Sequence, residues 1–474
     1  MNELVASEES QYPPQSVTDE LVKASSTSVL STDDPLTHVV STPHASADGA
    51  SLGEHKRITI TALEKSVYVL LFALLVAVRI PKVLDGRLWA EEGTVFFKHA
   101  WQFPWEKALW LSYGGYLNIS ANLAGILARY LVPLEKACYV TSIFGLIVQT
   151  FPVILLCSSN QKWLQDRKTL ISAILLIATV PLSQEIWLSC IGSQCHLNLC
   201  VALILAITPQ SGPVGWFQKF VLLIGPLSGP GSALLVPLFA LRAWLDRSKP
   251  RLIQTLILGT AAVIQFAFFW HPEERAAITS TSSEVLGIDP LLLLNIFFVK
   301  HILGPLLGII ETTQITDGWG NAYAKGLMVS PQTAVLAAVI IAFSAYGVWR
   351  SKNVQPKWFF LSGVMLWVVS NFGALGTRAA LLNPTMCERY VFAPQILFEL
   401  AILYVASVSR GWKRTLSWSI IVWLLVIGMH EYFWTPAFMG EGPCWRQEVH
   451  KWRQDPGHLL NIWPSGWTVQ LDQK

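Results

Sequence analysis

The chain has 474 residues, of which 52% are hydrophobic and 14% charged; an ordinary soluble domain carries about a quarter charged residues. Apolar runs of about 20 residues, the length that spans a hydrocarbon core, recur along it. A soluble globular enzyme is excluded, an all-α polytopic membrane protein is indicated, and the net charge of +3 is too small for a nucleic-acid partner.

Residues 1–57 differ in kind. "SVTDELVKASSTSVLSTDDPLTHVVSTPHASADGASLG" is rich in Ser, Thr, Asp and Pro and has no apolar period, which predicts a disordered tail. It lacks the basic start, apolar core and cleavage site of a signal peptide. It ends in "EHKR", and those basic residues predict a cytoplasmic N-terminus. The first span, Ser66 to Leu84, then leads out, so the loop from Asp85 to Tyr116 is expected outside.

The membrane domain is expected over 58–434. Further apolar runs lie near 117–133, 139–157, 169–187, 191–208, 216–227, 229–245, 252–270, 290–310, 330–349, 358–376, 390–408 and 415–434. Basic residues cluster at Lys162/Arg167/Lys168, Arg242/Arg247/Lys249/Arg251, Arg350/Lys352/Lys357 and Arg410/Lys413/Arg414. The positive-inside rule places all four in the cytoplasm. Two runs then cannot be full spans. The candidates are 117–133, interrupted by Asn118, Asn122 and Arg129, and 290–310, which contains Lys300 and His301. A charge at mid-bilayer costs about 3 kcal/mol. The result is eleven crossings, or thirteen if both runs cross. Either count leaves the C-terminus outside.

"GPLSGPGS", Gly225 to Ser232, frees backbone groups that lipid cannot satisfy. It is placed at the outward tip of a helical hairpin, with a plain tight turn as the alternative. Residues 435–474 are too polar to span and predict a small outer cap, which covers a cavity or rests on headgroups. Of the seven cysteines, Cys190, Cys195 and Cys200 lie five apart and form no metal spacing. They are expected to be buried thiols, and a Cys387–Cys444 pair is a weak alternative.

Three segments carry polar groups in positions suited to chemistry. "RLWAEEGTVFFKHAW" holds Glu91 and Glu92 just beyond the first span. Adjacent helical residues point about 100° apart, so the two acids cannot face one spot equally. Val95, Phe96, Ala100 and Trp101 suit an amphipathic helix in the interface. Gly93 lets the backbone approach a neighbour. A desolvated carboxylate there is a competent general base; the alternative is two solvated surface acids. In "NPTMCERYVFAP", Arg389 sits where the chain re-enters the membrane, and its fork suits a phosphate. The alternative is a pair with Glu388 or a contact with headgroups. Tyr390 is beside it, and Arg378 precedes it. In "SQEIWLSCIGSQCHLNL", Glu185, Gln194, His196 and Asn198 are candidates to line a polar cavity, with Glu185 a second acid for sugar hydroxyls or a metal. A hydrogen-bonded structural role is the other reading of His196. No P-loop, dinucleotide turn, GxSxG or HExxH is present, so any activated substrate arrives activated.

An outward first span followed by a large outer loop with an acidic pair resembles the GT-C superfamily of integral-membrane glycosyltransferases. More closely, "LWAEEGTVFF", "YGGYLNI", "ARYL" and a terminal "IWPSGW" are similar to a group of bacterial polytopic proteins. Their signature is "WAEDG-x-F", then "Y-x-GY", an Arg, and "W-P-x-GW". This chain departs at Glu92, where the signature has Asp. The resemblance implies a GT-C-like bundle with interfacial helices in the first outer loop, in a bacterial inner membrane with a periplasmic C-terminus. It implies sugar transfer from a polyprenyl-phosphate donor to a glycan, lipid or protein acceptor. The base maps onto Glu92 with Glu91 as helper, or the reverse. Any divalent cation, Mg or Mn, would sit at Glu91 or Glu92. Phosphate binding maps onto Arg389 and more loosely onto Arg129 or Arg378. Glu185, His196, Tyr116 and Tyr390 are the remaining cavity candidates. The competing readings are a transporter or flippase, and a non-enzymatic envelope-assembly protein.

Overall fold

A computed structural model describes residues 60–80, 83–269, 289–327, 330–372, 378–434 and 442–473. The expected 1–57 tail, the first residues of the expected cap and the Arg378 side chain lie outside the described residues. The described chain is mostly helical. Its strands are two short antiparallel pairs, Ser112–Tyr113 with Tyr116–Leu117 and Leu460–Ile462 with Trp467–Val469.

Six of the described helices are long and apolar enough to cross a membrane. They are Leu134–Ser158, Lys249–Phe269, Pro290–Leu307, Pro331–Arg350, Arg389–Val408 and Trp412–Phe433. Gly212–Leu227 with Pro230–Asp246, bent by 116°, makes a seventh if taken as one span. Val339, Phe343, Val422 and Val426 are exposed on these helices. In water such faces would be a liability, but in lipid they are not. The chain is therefore a multi-pass, all-α membrane protein.

Local sequence sets where several helices begin. Thr61 and Glu64 form a reciprocal capping box at the start of Ala62–Arg79. Asn118 accepts the Ala121 N–H and starts Ile119–Leu131, and Asp166 does the same for Arg167–Thr179. Asn118 thus starts a helix at a place where the sequence suggested an interruption.

The two ends of the bundle differ in what they gather. At one end Arg167 pairs with Glu64 at 2.6 Å, Gln355 donates to Gln161 at 2.7 Å, and Arg242 lies over the Trp358 ring. Three basic connections meet there. The fourth, around Arg410–Arg414, follows Arg389–Val408, a 20-residue helix that is roughly 30 Å long. Arg389 marks the opposite end. The Asp85–Tyr116 loop, the turn at Ser183–Gly192 and the C-terminal segment all collect at that end.

Both runs suspected of not crossing have their two ends at the Arg389 end. Ile119–Leu131 starts beside the hairpin tip, where the Ser120 and Ser228 hydroxyls are 2.6 Å apart. The chain following it reaches Leu134, whose carbonyl accepts from Trp445 in the C-terminal segment. Pro290–Leu307 is long enough to cross. Yet Tyr323 donates to Asp289 just before it, Lys300 donates to the Met386 carbonyl, and Glu431 accepts the Ile309 N–H just after it. The 212–246 pair turns at Ser228–Gly229. Ser232 donates to Asn198 at 2.7 Å, and a side chain at Gly229 (φ +151°) would meet Gln194. Protein, not lipid, meets the backbone freed by this turn.

The first loop departs from expectation. Glu92–Phe97 is a wide π-type turn, continued by the short helix Lys98–Gln102. Phe96, Phe97, Ala100 and Trp101 are buried in protein and so are not laid on an interface. The cause is the C-terminal segment. Its helix Trp445–Gln454 and its hairpin cover the loop, with Phe97, Trp101, Trp445, Trp452 and Ile462 in one apolar cluster. Trp101 Nε1 donates to the Asp472 carbonyl at 2.8 Å. Gly93 is needed for this contact, because a Cβ there would sit 2.7 Å from Ile462 Cδ1. All seven cysteines are free. Cys444 donates to the Asp85 carbonyl and is not joined to Cys387.

Candidate functional site

Four segments converge at the Arg389 end and enclose one cleft of about 370 Å³, within the usual range for a small-molecule site. The first loop supplies Trp89, Ala90 and Glu91. The turn after Arg167–Thr179 supplies Glu185 and Ser189, and the following helix supplies Gln194 and Cys195. Met386 to Arg389 and, from the C-terminal segment, Pro464 and Trp467 complete the wall.

Backbone bonding fixes the first loop. The Ala90 N–H donates to the Trp463 carbonyl, and the Trp463 N–H donates to the Leu88 carbonyl at 3.0 Å. Arg87, fully buried, donates to the Trp187 carbonyl at 2.6 Å and stacks over Trp89. Its burial pushes the guanidinium down to about 10, and the charge of Glu92 opposes that shift.

Glu91 and Glu92 have separate fates. Glu91 lines the cleft. Glu92 is buried, and both its oxygens are engaged by backbone. Oε2 accepts the Trp89 N–H at 3.0 Å, and Oε1 accepts the Cys190 N–H. Burial pushes its carboxyl up; bonds from Cys190 and Trp89 and the Arg87 charge pull it down. Glu92, the first-ranked base by signature, is thus a tie between the first loop and the turn at Cys190, and it is not among the cleft-lining residues.

Two carboxylates, bonded crosswise to each other's segment, hold the other side. Glu388 Oε2 accepts the Gln184 N–H at 2.5 Å and the Glu185 N–H at 3.3 Å. Glu185 Oε1 in turn accepts the Arg389 N–H at 2.8 Å. Each acid caps the start of the other's helical turn. Between them stands Arg389, at 5.5 Å over the Tyr390 ring. Glu185, Tyr116 and Glu91 lie within its electrostatic reach. Its Nε is buried and has no partner among the described residues. Burial pushes the Tyr116 phenol up to about 12, against the pull of Arg389 and a bond with Gln194.

Backbone strain gathers here too. Five described non-glycine residues have positive φ. Ala90 (+35°) and Cys387 (+57°) line the cleft, and Leu182 (+55°) and Leu188 (+50°) flank Glu185. Such conformations cost about 1 kcal/mol or more each and persist where surrounding contacts impose them, often at functional sites.

The remaining candidates fall elsewhere. His196 is enclosed by Trp187 and Phe392, with Nδ1 3.0 Å from the Gly192 carbonyl. It is a core residue. Arg129 stacks over Trp101 at 4.1 Å beneath the C-terminal segment and does not line the cleft. Two contributors were not assigned a role from sequence. One is Glu388, read only as a partner for Arg389. The other is the pair Pro464 and Trp467, noted only within "IWPSGW". An acid immediately before a helix that begins with Arg was the available signal for Glu388.

Among the described residues no group of three or more His, Cys, Asp or Glu side chains is placed to hold a metal. Of the two acids to which a divalent cation was assigned by resemblance, Glu91 lines the cleft and Glu92 has both oxygens on backbone N–H groups. No family model, curated protein or solved structure matches the chain.

Proposed function

We propose that the protein is a membrane glycosyltransferase that moves a sugar from a polyprenyl-phosphate donor to a hydroxyl acceptor. The observation that carries this reading is the meeting of Glu91, Glu185 and Arg389 in one cleft beside the start of the apolar Arg389–Val408 helix. A lipid-linked substrate has an apolar tail, an anionic phosphate and a polyhydroxylated head. The site offers a guanidinium for the phosphate and carboxylates for the head, at the start of a helix of membrane-spanning length.

In this reading Arg389 holds the donor phosphate and Glu91 faces the acceptor. Glu91 takes the proton from the acceptor hydroxyl as its oxygen bonds to the anomeric carbon. The bond from that carbon to the phosphate oxygen breaks, and its electron pair leaves on the phosphate beside Arg389. Attack opposite the leaving group inverts the anomeric centre.

The bundle geometry supports an outer-face site. The basic connections gather at one end and the cleft at the other, so the positive-inside rule puts the cleft outside. Eleven crossings follow if Ile119–Leu131 and Pro290–Leu307 both stay at the cleft end. A reporter fused after Lys474 is expected to read an outer location; a cytoplasmic signal would reverse the assignment.

Transfer from a labelled polyprenyl-phosphate sugar by the purified protein tests the chemistry. Glu91→Gln is expected to lower turnover about a hundredfold or more while leaving thermal stability near that of the parent. Full turnover in that variant removes Glu91 as the base, and no transfer from any such donor by the unmodified protein overturns the reading.

A further inference from the structure

Four tryptophans lie within residues 442–473. Three of them build the segment. Trp445, Trp452 and Trp463 are buried, and each indole N–H donates to a carbonyl, of Leu134 at 2.8 Å, Leu471 at 3.2 Å and Pro443 at 2.9 Å. The fourth, Trp467, is 39% exposed and lines the cleft. Trp89 is the other tryptophan in the cleft wall, but it is buried and the Arg87 guanidinium lies over its ring at 4.8 Å. Of the two, Trp467 is the ring left open to a ligand.

We propose that Trp467 is the platform on which the cleft stacks the pyranose ring of a saccharide acceptor. This rests on the reading of Glu91 as the base that faces the acceptor, and deepens it. The acceptor hydroxyl is carried by a sugar ring, and the C-terminal segment supplies the surface that recognises that ring.

The chemistry of the wall matches such a ring. A pyranose has a face of C–H bonds and a rim of hydroxyls. The C–H face suits the negative face of an indole, and the hydroxyls donate to carboxylates. The cleft combines the two, with Trp467 in the same wall as Glu91 and Glu185. Placement assigns the ring to the acceptor. The strand Trp467–Val469 packs against Glu92–Phe97, the turn that begins directly after Glu91. Arg389, the donor-phosphate residue, belongs to the other wall, where its N–H donates to Glu185.

The platform is set before any ligand arrives. Trp467 pairs with Ile462 across the hairpin, and its N–H donates to the Pro464 carbonyl at 3.2 Å, closing a turn in which Gly466 takes φ +94°. The preceding Trp463 is bonded through its N–H to Leu88 and through its carbonyl to Ala90. The hairpin is thereby tied to the first loop on the Glu91 side. A ring held in this way loses little freedom on binding. The competing role for an exposed tryptophan in a membrane protein is an anchor at the headgroup level. An anchor has no preference for a sugar ring.

Saturation-transfer NMR on the purified full-length protein, in lipid discs free of sugar detergents, tests this directly. The probes are the methyl pyranosides of glucose, galactose, mannose and N-acetylglucosamine, with glycerol as a polyol that has no ring. Ring C–H protons of at least one glycoside are expected to take up saturation, and glycerol none. Trp467→Ala is expected to weaken that binding about tenfold, and Trp467→Phe, which keeps a smaller ring, to stay within about threefold of the parent. Should the Ala variant not fold, Trp467→Leu keeps apolar bulk without a ring and is expected to lose binding to the same degree. No glycoside signal above that of glycerol in the parent overturns the proposal. So does an equal signal in the ringless variant, which leaves Trp467 as an anchor. In the transfer assay the ringless variant is expected to raise the KM for a saccharide acceptor about tenfold, more than it raises that for the donor; a larger rise for the donor overturns the acceptor placement. The two readings fail separately. Glycoside binding that depends on Trp467, in a protein that transfers from no polyprenyl-phosphate sugar, keeps the platform and overturns the transferase. Transfer that is unimpaired in the ringless variant keeps the transferase and overturns the platform.

Discussion

The two ends of the bundle both bury arginines but use them differently. At the basic end Arg242 donates to the Leu205 carbonyl, and Arg251 donates to the carbonyls of Ile204 and Ile207. Together they satisfy the last carbonyls of Ser193–Ala206, which that helix cannot satisfy itself. Asp246 supplies the counter-charge at 3.2 and 3.6 Å. Nε makes no hydrogen bond among the described residues in either Arg251 or Arg389; the difference lies elsewhere. The terminal nitrogens of Arg251 donate to carbonyls and its Nε faces Asp246, whereas the acids near Arg389 at the cleft end accept from backbone N–H groups. A structural arginine is spent on carbonyls as Arg251 is, and Arg389 is not.

Exchanging the two roles by mutation tests that contrast. The largest effect is expected at Arg389. Replacement by Lys, which keeps the charge but loses the fork, should cut sugar transfer about a hundredfold or more with little change in melting temperature. Equal turnover in Arg389→Lys would remove the distinction. Next comes Glu92. Glu92→Ala strands the Trp89 and Cys190 N–H groups and leaves Arg87 without its acid. It should cost about 3 kcal/mol of stability, measured by denaturant or thermal unfolding in detergent. An undiminished melting temperature with lost turnover would return Glu92 to the catalytic role its signature position suggests. At the basic end Arg251→Met should cost about 1–3 kcal/mol and leave the turnover of the folded fraction unchanged.

The smallest effect concerns the C-terminal segment that walls the cleft. Glu448 is buried there, which pushes its carboxyl up. Bonds from Lys451, the Asn461 N–H, His458 and the Asn461 amide outweigh this and hold it down at about 2. A carboxyl held below its unfolded value of about 4.3 stabilises the fold above that pH, and the contribution is lost as pH falls toward about 2. Fluorescence of Trp445 and Trp452 should therefore report loosening of this segment in that window. Glu448→Gln should abolish the acid step, and an unchanged step would show that another group controls it.

Much of the fold was legible because lipid imposes a strong rule. Long apolar stretches, polar connections and basic clusters are one-dimensional signals, and they located the helices and gathered the basic connections at one end. The segments that build the cleft were legible for a related reason. Charges beside apolar runs, as in "WAEEG", "SQEIW" and "MCERY", are costly unless they are used. What local signals did not show was the covering of the first loop by residues 442–473. Local signals alone therefore point the apolar face of the loop at the membrane interface. Likewise His196 and Arg129, polar residues in plausible places, are held in aromatic packing that depends on Trp187, Phe392 and Trp101.

The adjacent acids separate the two kinds of knowledge most sharply. Sequence alone determined that Glu91 and Glu92 lie together beside a span and, from helical geometry, that they cannot both face one spot. It could not determine which one faces the cleft. That choice depends on a backbone N–H at Cys190, 98 residues further along the chain, which donates to the Glu92 carboxylate. Burial makes such a bond obligatory once it is formed, and only the tertiary structure brings the two groups together.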